Sequence, residues 1–441
     1  MDASDSPGVW HDWVRLGQSY RRVRDQSREL VATLTAEDCM VQSMVDASPI
    51  KWHLAHTTWF FETLVLEQWL PRIGRPFRAF SPAYRMLFNS YYVGVGALHP
   101  RAERGVLSRP DLAEVRGYRA AVDEQMMALL QAADPDPDLV KLVALGINHE
   151  QQHQELILTD LKHHFWRNPL LPAFREKHPD ARLSEPLARR FVAFDGGPDQ
   201  IGHQGDAFAF DNECPRHGVW IEPFEMANRL VTNAEYEEFI RDGGYRRVDL
   251  WLSDGWDAVC RERWDAPLYW LRDGDLFTLS GRRPIDLFEP VCHVSYYEAD
   301  AFARWAGARL ATESEWEHAA QKAAAGDAAV SAAAAAPGNF LDSGRLHPCA
   351  ALMGQGAPNG LAQLLGDVWE WTQSAYLPYP GFRPAQGAVG EYNGKFMVNQ
   401  MVLRGGSCAT PADHIRRSYR NFFYPQARWQ FSGIRLVRDL R

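Results

Sequence analysis

Apolar residues in the first third of the chain recur at helical rather than strand spacing. In 138–164, Leu156, Ile157 and Leu161 repeat on one face, no glycine follows Gly146, and no proline precedes Pro169. That pattern predicts one long helix. Four such patterns stand at roughly 10–33, 50–69, 111–133 and 138–165, the second opened by Ser48-Pro49, a helix-start signal. Between the second and third lies a non-helical excursion, 71–110, broken by Pro and Gly. A connection that long inside a bundle is usually functional or a lid. Residues 166–188 are proline-rich and connective.

Beyond about residue 190 the pattern changes to short strand-like runs (191–197, 219–227, 401–407) and two short helical signals (233–244, 297–307). The chain therefore reads as α+β, with a helical N-terminal domain over 1–185 and a mixed domain over 186–441. The alanine-rich patch 323–338 reads as an exposed, variable loop, and no internal repeat is visible.

Composition narrows the function classes. The 441 residues suffice for two or three domains, and 46% hydrophobic with 23% charged residues is ordinary for a globular protein. Lys plus Arg is 47 against 56 Asp plus Glu, a net charge of −9, which points away from nucleic acid and anionic membranes as partners. Six cysteines are scattered with no CxxC, so neither a disulfide framework nor a zinc ribbon is expected. The start, MDASDSPGVWHDW, has no apolar core of a leader, and no run of about 18 apolar residues occurs. A cytoplasmic protein with no obligate protein partner is expected. The 16 tryptophans are mostly core material, though aromatic cages also bind quaternary ammonium groups.

The candidate chemistry begins at His149-Glu150-Gln151-Gln152-His153, which spells the HExxH of zinc proteases. Two histidines four apart lie on one helix face and make half a metal site. A metzincin needs Gly where this chain has Leu156. Another zincin would need a Glu on a following helix; Glu176 is available, but it sits in a proline-interrupted stretch that reads as loop. A third imidazole is easier to find on the second helix, at His53 or His56, one turn apart, and spacing alone does not choose between them. Three histidines with open positions suit non-haem iron with dioxygen, and equally catalytic zinc.

Several phrases carry a family resemblance. In the second half, VTNAEYEEFIRDGGY (231–245), VSYYEADAFARWAGARLATESEWEHAA (294–320), GDVWEWT (366–372), RGGS (404–407) and GIRLVRD (433–439) resemble the formylglycine-generating, or sulfatase-modifying, domain. That resemblance implies a C-type-lectin-like fold with little regular structure. The family's oxidase uses a late pair of cysteines; here Cys408 stands alone, so formylglycine formation is not expected. The first half resembles the DinB family of four-helix bundles. Together with KWHLAHTTWFFE (51–62), LFNSYY (87–92), HEQQHQELILTD (149–160) and RWQFSGIR (428–435), the whole chain resembles the ergothioneine-pathway sulfoxide synthases. The resemblance implies an Fe(2+) enzyme that joins a thiol to the imidazole C2 of hercynine using O2.

By that motif His56, His149 and His153 are the iron ligands, and His53 has a structural role. The resemblance also assigns the phenol that serves the reaction to the pair Tyr91 and Tyr92, with Tyr392 in reserve. Gln152 matches a substrate contact, Arg85 a candidate for a substrate carboxylate, and Asn421, Phe422 and Phe423 a substrate loop. Users of γ-glutamylcysteine have an Asp in that loop where this chain has Phe423, so cysteine is the expected donor. A selenosugar is the rival donor, as in the related selenoneine synthases, because the wording around 68–85 and 93–105 drifts. Further alternatives are a zinc-dependent DinB-type thiol transferase and a non-enzymatic binding module.

Overall fold

A computed structural model describes residues 13–132, 134, 136–175, 185–324, 338–353 and 359–440. Residues 10–12 of the first predicted helix, Glu176, and most of the alanine-rich patch lie outside the described residues.

The chain divides into two compact units. The first comprises Met1–Arg167 together with two short segments from much later in sequence, Gln204–Phe210 and Pro384–Asn393. It is a four-helix bundle of α1 (Trp13–Leu30), α2 (Ile50–Phe60), α5 (Leu112–Ala132) and α6 (Pro137–Arg167), with short α3 (Glu67–Trp69) and α4 (Tyr84–Leu87) between. On α1 the buried positions are Leu16, Tyr20, Val23, Arg24, Ser27 and Leu30, and Leu16, Tyr20 and Val23 begin an i, i+4, i+7 stripe that requires a partner surface. Every residue of α2 is buried, so α2 is the central helix. It runs into a π-helical turn at Phe61–Leu66. Gly146 of α6 lets the helices approach there, since a Cβ would come within 2.5 Å of the Phe61 ring.

The bundle is pinned by charge as well as by apolar packing. Arg24 of α1 donates to Glu150 of α6 at 2.8 Å, to Asp123 of α5 at 2.6 Å and to Thr58 of α2 at 3.1 Å. Arg119 of α5 donates to the other Glu150 oxygen and to Thr57. Glu150 and its two arginines thus tie together all four long helices.

The second unit, Asn168–His203, Asp211–Arg383 and Gly394–Arg441, is the expected α+β domain. Its strands are β1 (Phe191–Phe194), β2 (Gly197–Ile201), β3 (His217–Ile221), β4 (Phe224–Ala227), β5 (Asp275–Thr278), β6 (Gly281–Pro284), β7 (Arg309–Leu310), β8 (Trp369–Ala375), β9 (Met401–Arg404), β10 (Asn421–Phe423), β11 (Ser432–Gly433) and β12 (Leu436–Asp439). Two four-stranded sheets, β1-β4-β12-β7 and β10-β9-β8-β11, and two hairpins result. Phe194, Phe224, Met226, Trp316 and Val437 form its core cluster. The two helical signals of this half become α7 (Asn233–Arg241) and α8 (Tyr296–Trp305), each opened by a capping box, Thr232 with Glu235 and Ser295 with Glu298. No described helix is long and apolar enough to cross a membrane.

Candidate metal centre

The i, i+4 register of α6 puts His149 and His153 on the face turned to α2, where His56 meets them. The ligand atoms these three offer lie within 4.8 Å of one another, and all three residues are buried. His56 Nε2 and His149 Nε2 are 3.1 Å apart. A metal bound by imidazoles at about 2.0–2.1 Å each needs nitrogens at such separations. This is the only described group of three or more His, Cys, Asp or Glu that could hold a metal ion.

His56 is set by its own helix and by the excursion. Trp52, four residues before, stacks on the imidazole at 4.7 Å and 11°, and Trp59, three after, at 5.6 Å and 18°. The last carbonyls of α4 have no partner inside so short a helix. The rings of α2 take them: Trp59 Nε1 donates to Arg85 O at 3.0 Å, Trp52 Nε1 to Leu87 O at 3.1 Å, and His56 Nδ1 to Phe88 O at 2.6 Å. That last bond places the His56 proton on Nδ1 and leaves Nε2 as the lone pair facing His149. The excursion 71–110 is therefore part of the ligand scaffold, not a detached flap.

Burial drives all three imidazoles toward their neutral form. Desolvation pushes His149 down to about 3 and holds His56 and His153 well below the ordinary imidazole value, with the neighbouring imidazoles lowering those two further. Neutral imidazoles with free lone pairs are what a divalent transition ion binds. The donor set fits a metal.

Glu150, the Glu of the HExxH spelling, faces away from this chemistry. It is 1% exposed and held by Arg24 and Arg119. Burial alone would raise its pKa, but the two guanidiniums outweigh it and hold the carboxyl at about 2. Its two oxygens accept from the two guanidiniums, as a buried counter-ion does.

Two predicted residues join the three histidines. Tyr392 donates a short hydrogen bond to Gln152 Oε1, and its ring stands edge-on to His149 at 5.7 Å. Phe210 stacks on the outer face of Tyr392 at 5.4 Å and 14°. The neighbouring Glu391 accepts from Val93 N at 3.0 Å and Gly94 N at 2.7 Å, fixing the Tyr392 segment to the excursion. A Cβ on Gly94 would stand 3.0 Å from that carboxylate.

Tyr91 and Tyr92 stack on each other at 4.6 Å. Tyr92 is fully buried and lies 5.4 Å from Trp59; the Tyr91 ring is 6.4 Å from Tyr392. The phenol in ring contact with a histidine of the triad is thus Tyr392. Arg85 is half exposed and pairs with Glu67 at 2.5 Å. Asn421, Phe422 and Phe423 belong to the second unit, in β10, where Phe422 stacks on Tyr376 at 4.0 Å and Phe423 meets Trp429 edge-on at 6.1 Å. No disulfide joins any of the six cysteines, and Cys408 is fully buried. Sequence reading missed Trp52, Trp59, Asp160 and Glu391. The two tryptophans had a signal, their i−4 and i+3 spacing from His56; Glu391 had none.

The arrangement has counterparts. The sulfatase-modifying factor enzyme 1-like domain family matches residues 177–440, and the DinB superfamily matches 19–157. The chain is 36% identical over 440 residues to the hercynine oxygenase of Mycolicibacterium thermoresistibile, covering 95% of this chain and 94% of that one. It is 35% identical over 440 residues to the hercynine oxygenase of Mycobacterium tuberculosis, covering 95% and 97%. It is also 29% identical over 237 residues to ergothioneine biosynthesis protein 1 of Schizosaccharomyces pombe, covering 53% of this chain and 28% of that one.

Proposed function

For a chain that belongs to the hercynine oxygenase family, a family of oxidoreductases, we propose an iron(II)- and dioxygen-dependent enzyme that joins the sulfur of cysteine to the imidazole C2 of hercynine. The C–H and S–H hydrogens leave with one oxygen atom as water, and the other oxygen ends on sulfur as the sulfoxide. The observation that carries this reading is the convergence of three buried, neutral imidazoles with the Gln152 amide and the Tyr392 phenol. Iron(II) held by His56, His149 and His153 supplies, when bound, the activation of dioxygen. Gln152 and Tyr392 orient the substrate beside the triad. Tyr392 holds a proton at Oη, directed at Gln152 Oε1, that can be passed to the reacting substrate. Phe210, Trp52 and Trp59 keep water from the histidines.

The direct test is anaerobic incubation of the iron-loaded protein with hercynine, followed by oxygenated buffer with cysteine, and product mass. The hercynine–cysteine sulfoxide is expected. A selenosugar offered in competition decides the chalcogen: its preferred consumption would replace cysteine by selenium as the donor.

Positioned proton donors are worth about 10²–10⁴-fold. Tyr392→Phe should therefore lower sulfoxide formation at least about 10²-fold by that measure, with iron content unchanged. Full activity in Tyr392→Phe together with its loss in Tyr91→Phe or Tyr92→Phe would move the role to the stacked pair.

Donor choice gives a second expectation. A γ-glutamyl group brings an extra carboxylate and amine, and each left unpaired in a closed site costs about 1–3 kcal/mol. Phe423 offers neither charge nor hydrogen bond. γ-Glutamylcysteine should be used at least about tenfold less well than cysteine, measured as kcat/KM on both donors. Phe423→Asp should narrow the difference; preference of the parent for γ-glutamylcysteine would sink this reading of the loop.

A further inference from the structure

Second in importance to the three ligands is a buried chain of hydrogen bonds behind one of them. His53 lies on α2 one turn before His56, and Asp160 on α6 two turns after His153. His53 Nδ1 is 2.8 Å from His153 Nδ1, and His53 Nε2 is 3.0 Å from Asp160 Oδ2. The same Asp160 oxygen accepts the Ser48 amide at 2.8 Å, two residues before α2 begins. His53 is 2% and Asp160 2% exposed, so no bulk water competes for these bonds.

The network permits one arrangement of protons that keeps a lone pair for a metal. Asp160 Oδ2 already accepts from the Ser48 amide, and as an acceptor it places the proton it shares with His53 on His53 Nε2. Neutral His53 then has its lone pair on Nδ1 and must accept from His153. The His153 proton is therefore on Nδ1, and His153 Nε2 is left bare.

We propose that His53 and Asp160 are positioning residues: a carboxylate–imidazole relay that fixes the tautomer and ring plane of His153 and so sets metal affinity. The inference rests on the reading of His153 as a metal ligand. Partners of this kind commonly contact a ligating histidine directly; here a second imidazole is interposed, because Asp160 lies two helical turns from His153 and the ring of His53 spans the gap. The other two ligands are served differently: His56 by the Phe88 carbonyl, His149 by ring contacts with Phe60 and Tyr392.

The test needs no turnover. In the full-length Zn2+-loaded protein labelled with ¹⁵N-histidine, long-range ¹H–¹⁵N spectra should show His53 neutral with its proton on Nε2, assigned by loss of its signals in His53→Asn. A proton on His53 Nδ1, or an imidazolium, overturns the relay. Chelator competition with Co2+ gives the second measurement. His53→Asn keeps an acceptor near the Nδ1 position and should bind Co2+ close to the parent, with the same visible bands. His53→Phe should bind about 10–100-fold more weakly, with shifted bands. An unshifted spectrum and parental affinity in folded His53→Phe overturn the proposal; should that variant not fold, the tautomer measured in the parent decides. His153→Ala separates the two readings. If it loses Co2+ while His53→Phe keeps parental affinity, only the relay fails. If it keeps Co2+, the ligand reading fails and the relay with it.

Discussion

Alanine at His56, at His149 or at His153 is expected to leave a helical protein that retains no stoichiometric iron and forms no sulfoxide. The three side chains are the complete set the bundle offers at this point: their ligand atoms lie within 4.8 Å of one another, and among the described residues no other His, Cys, Asp or Glu joins them. Two imidazoles would then have to hold the ion alone. Metal content per chain after desalting, with circular dichroism to confirm the fold, measures the effect. His53→Ala should be milder, with affinity weakened no more than about a hundredfold, since it removes a partner of a ligand and not a ligand. Loss of iron from His53→Ala with retention in His56→Ala would reverse the assignment on α2.

Glu150→Gln is expected to be among the most destabilising single substitutions in the helical unit, by about 3–5 kcal/mol, the usual consequence of removing one member of a buried ion pair. Gln keeps the shape but leaves Arg119, 6% exposed, with a buried charge and no paired carboxylate, and leaves Arg24, 4% exposed, with Asp123 alone. Total stabilities of about 5–15 kcal/mol make that a large fraction. The pH dependence has a definite sign. The Glu150 carboxyl is held at about 2, below its ordinary 4.5. Its contribution is therefore fully present above about pH 4.5 and is lost as the pH falls toward 2. Urea unfolding of parent and variant from pH 7 down to 3 should show the parent losing stability across that window and the variant losing less. Equal stability at neutral pH would show that the two arginines find other partners.

Part of this molecule is readable from local pattern alone. The 3.6-residue period of 138–164 specified α6, and the i, i+4 spacing of His149 and His153 placed them on one face whatever that face met. The capping boxes at Thr232 and Ser295 are equally local. The change of texture near residue 190 separated a helical half from an α+β half. Family motifs then selected His56 over His53, which geometry on one helix could not do: three residues apart, both lie within about 60° of each other around α2.

What remained was decided by contacts between residues far apart in sequence. Glu150 was spelled as a protease base, yet its partners are Arg24 and Arg119, on α1 and α5. Tyr91 and Tyr92 had the motif, but Tyr392 has the ring contact with His149, because Pro384–Asn393 belongs to the helical unit and Glu391 is bonded to Val93 and Gly94. Asp160 is joined to His153 only because packing places the His53 ring between them. The physical reason is the same in each case. Sequence period fixes which side chains share a face, since backbone geometry is local. Which buried polar groups become partners depends on how faces pack, and a buried charge or imidazole takes the partner that packing brings within hydrogen-bond reach.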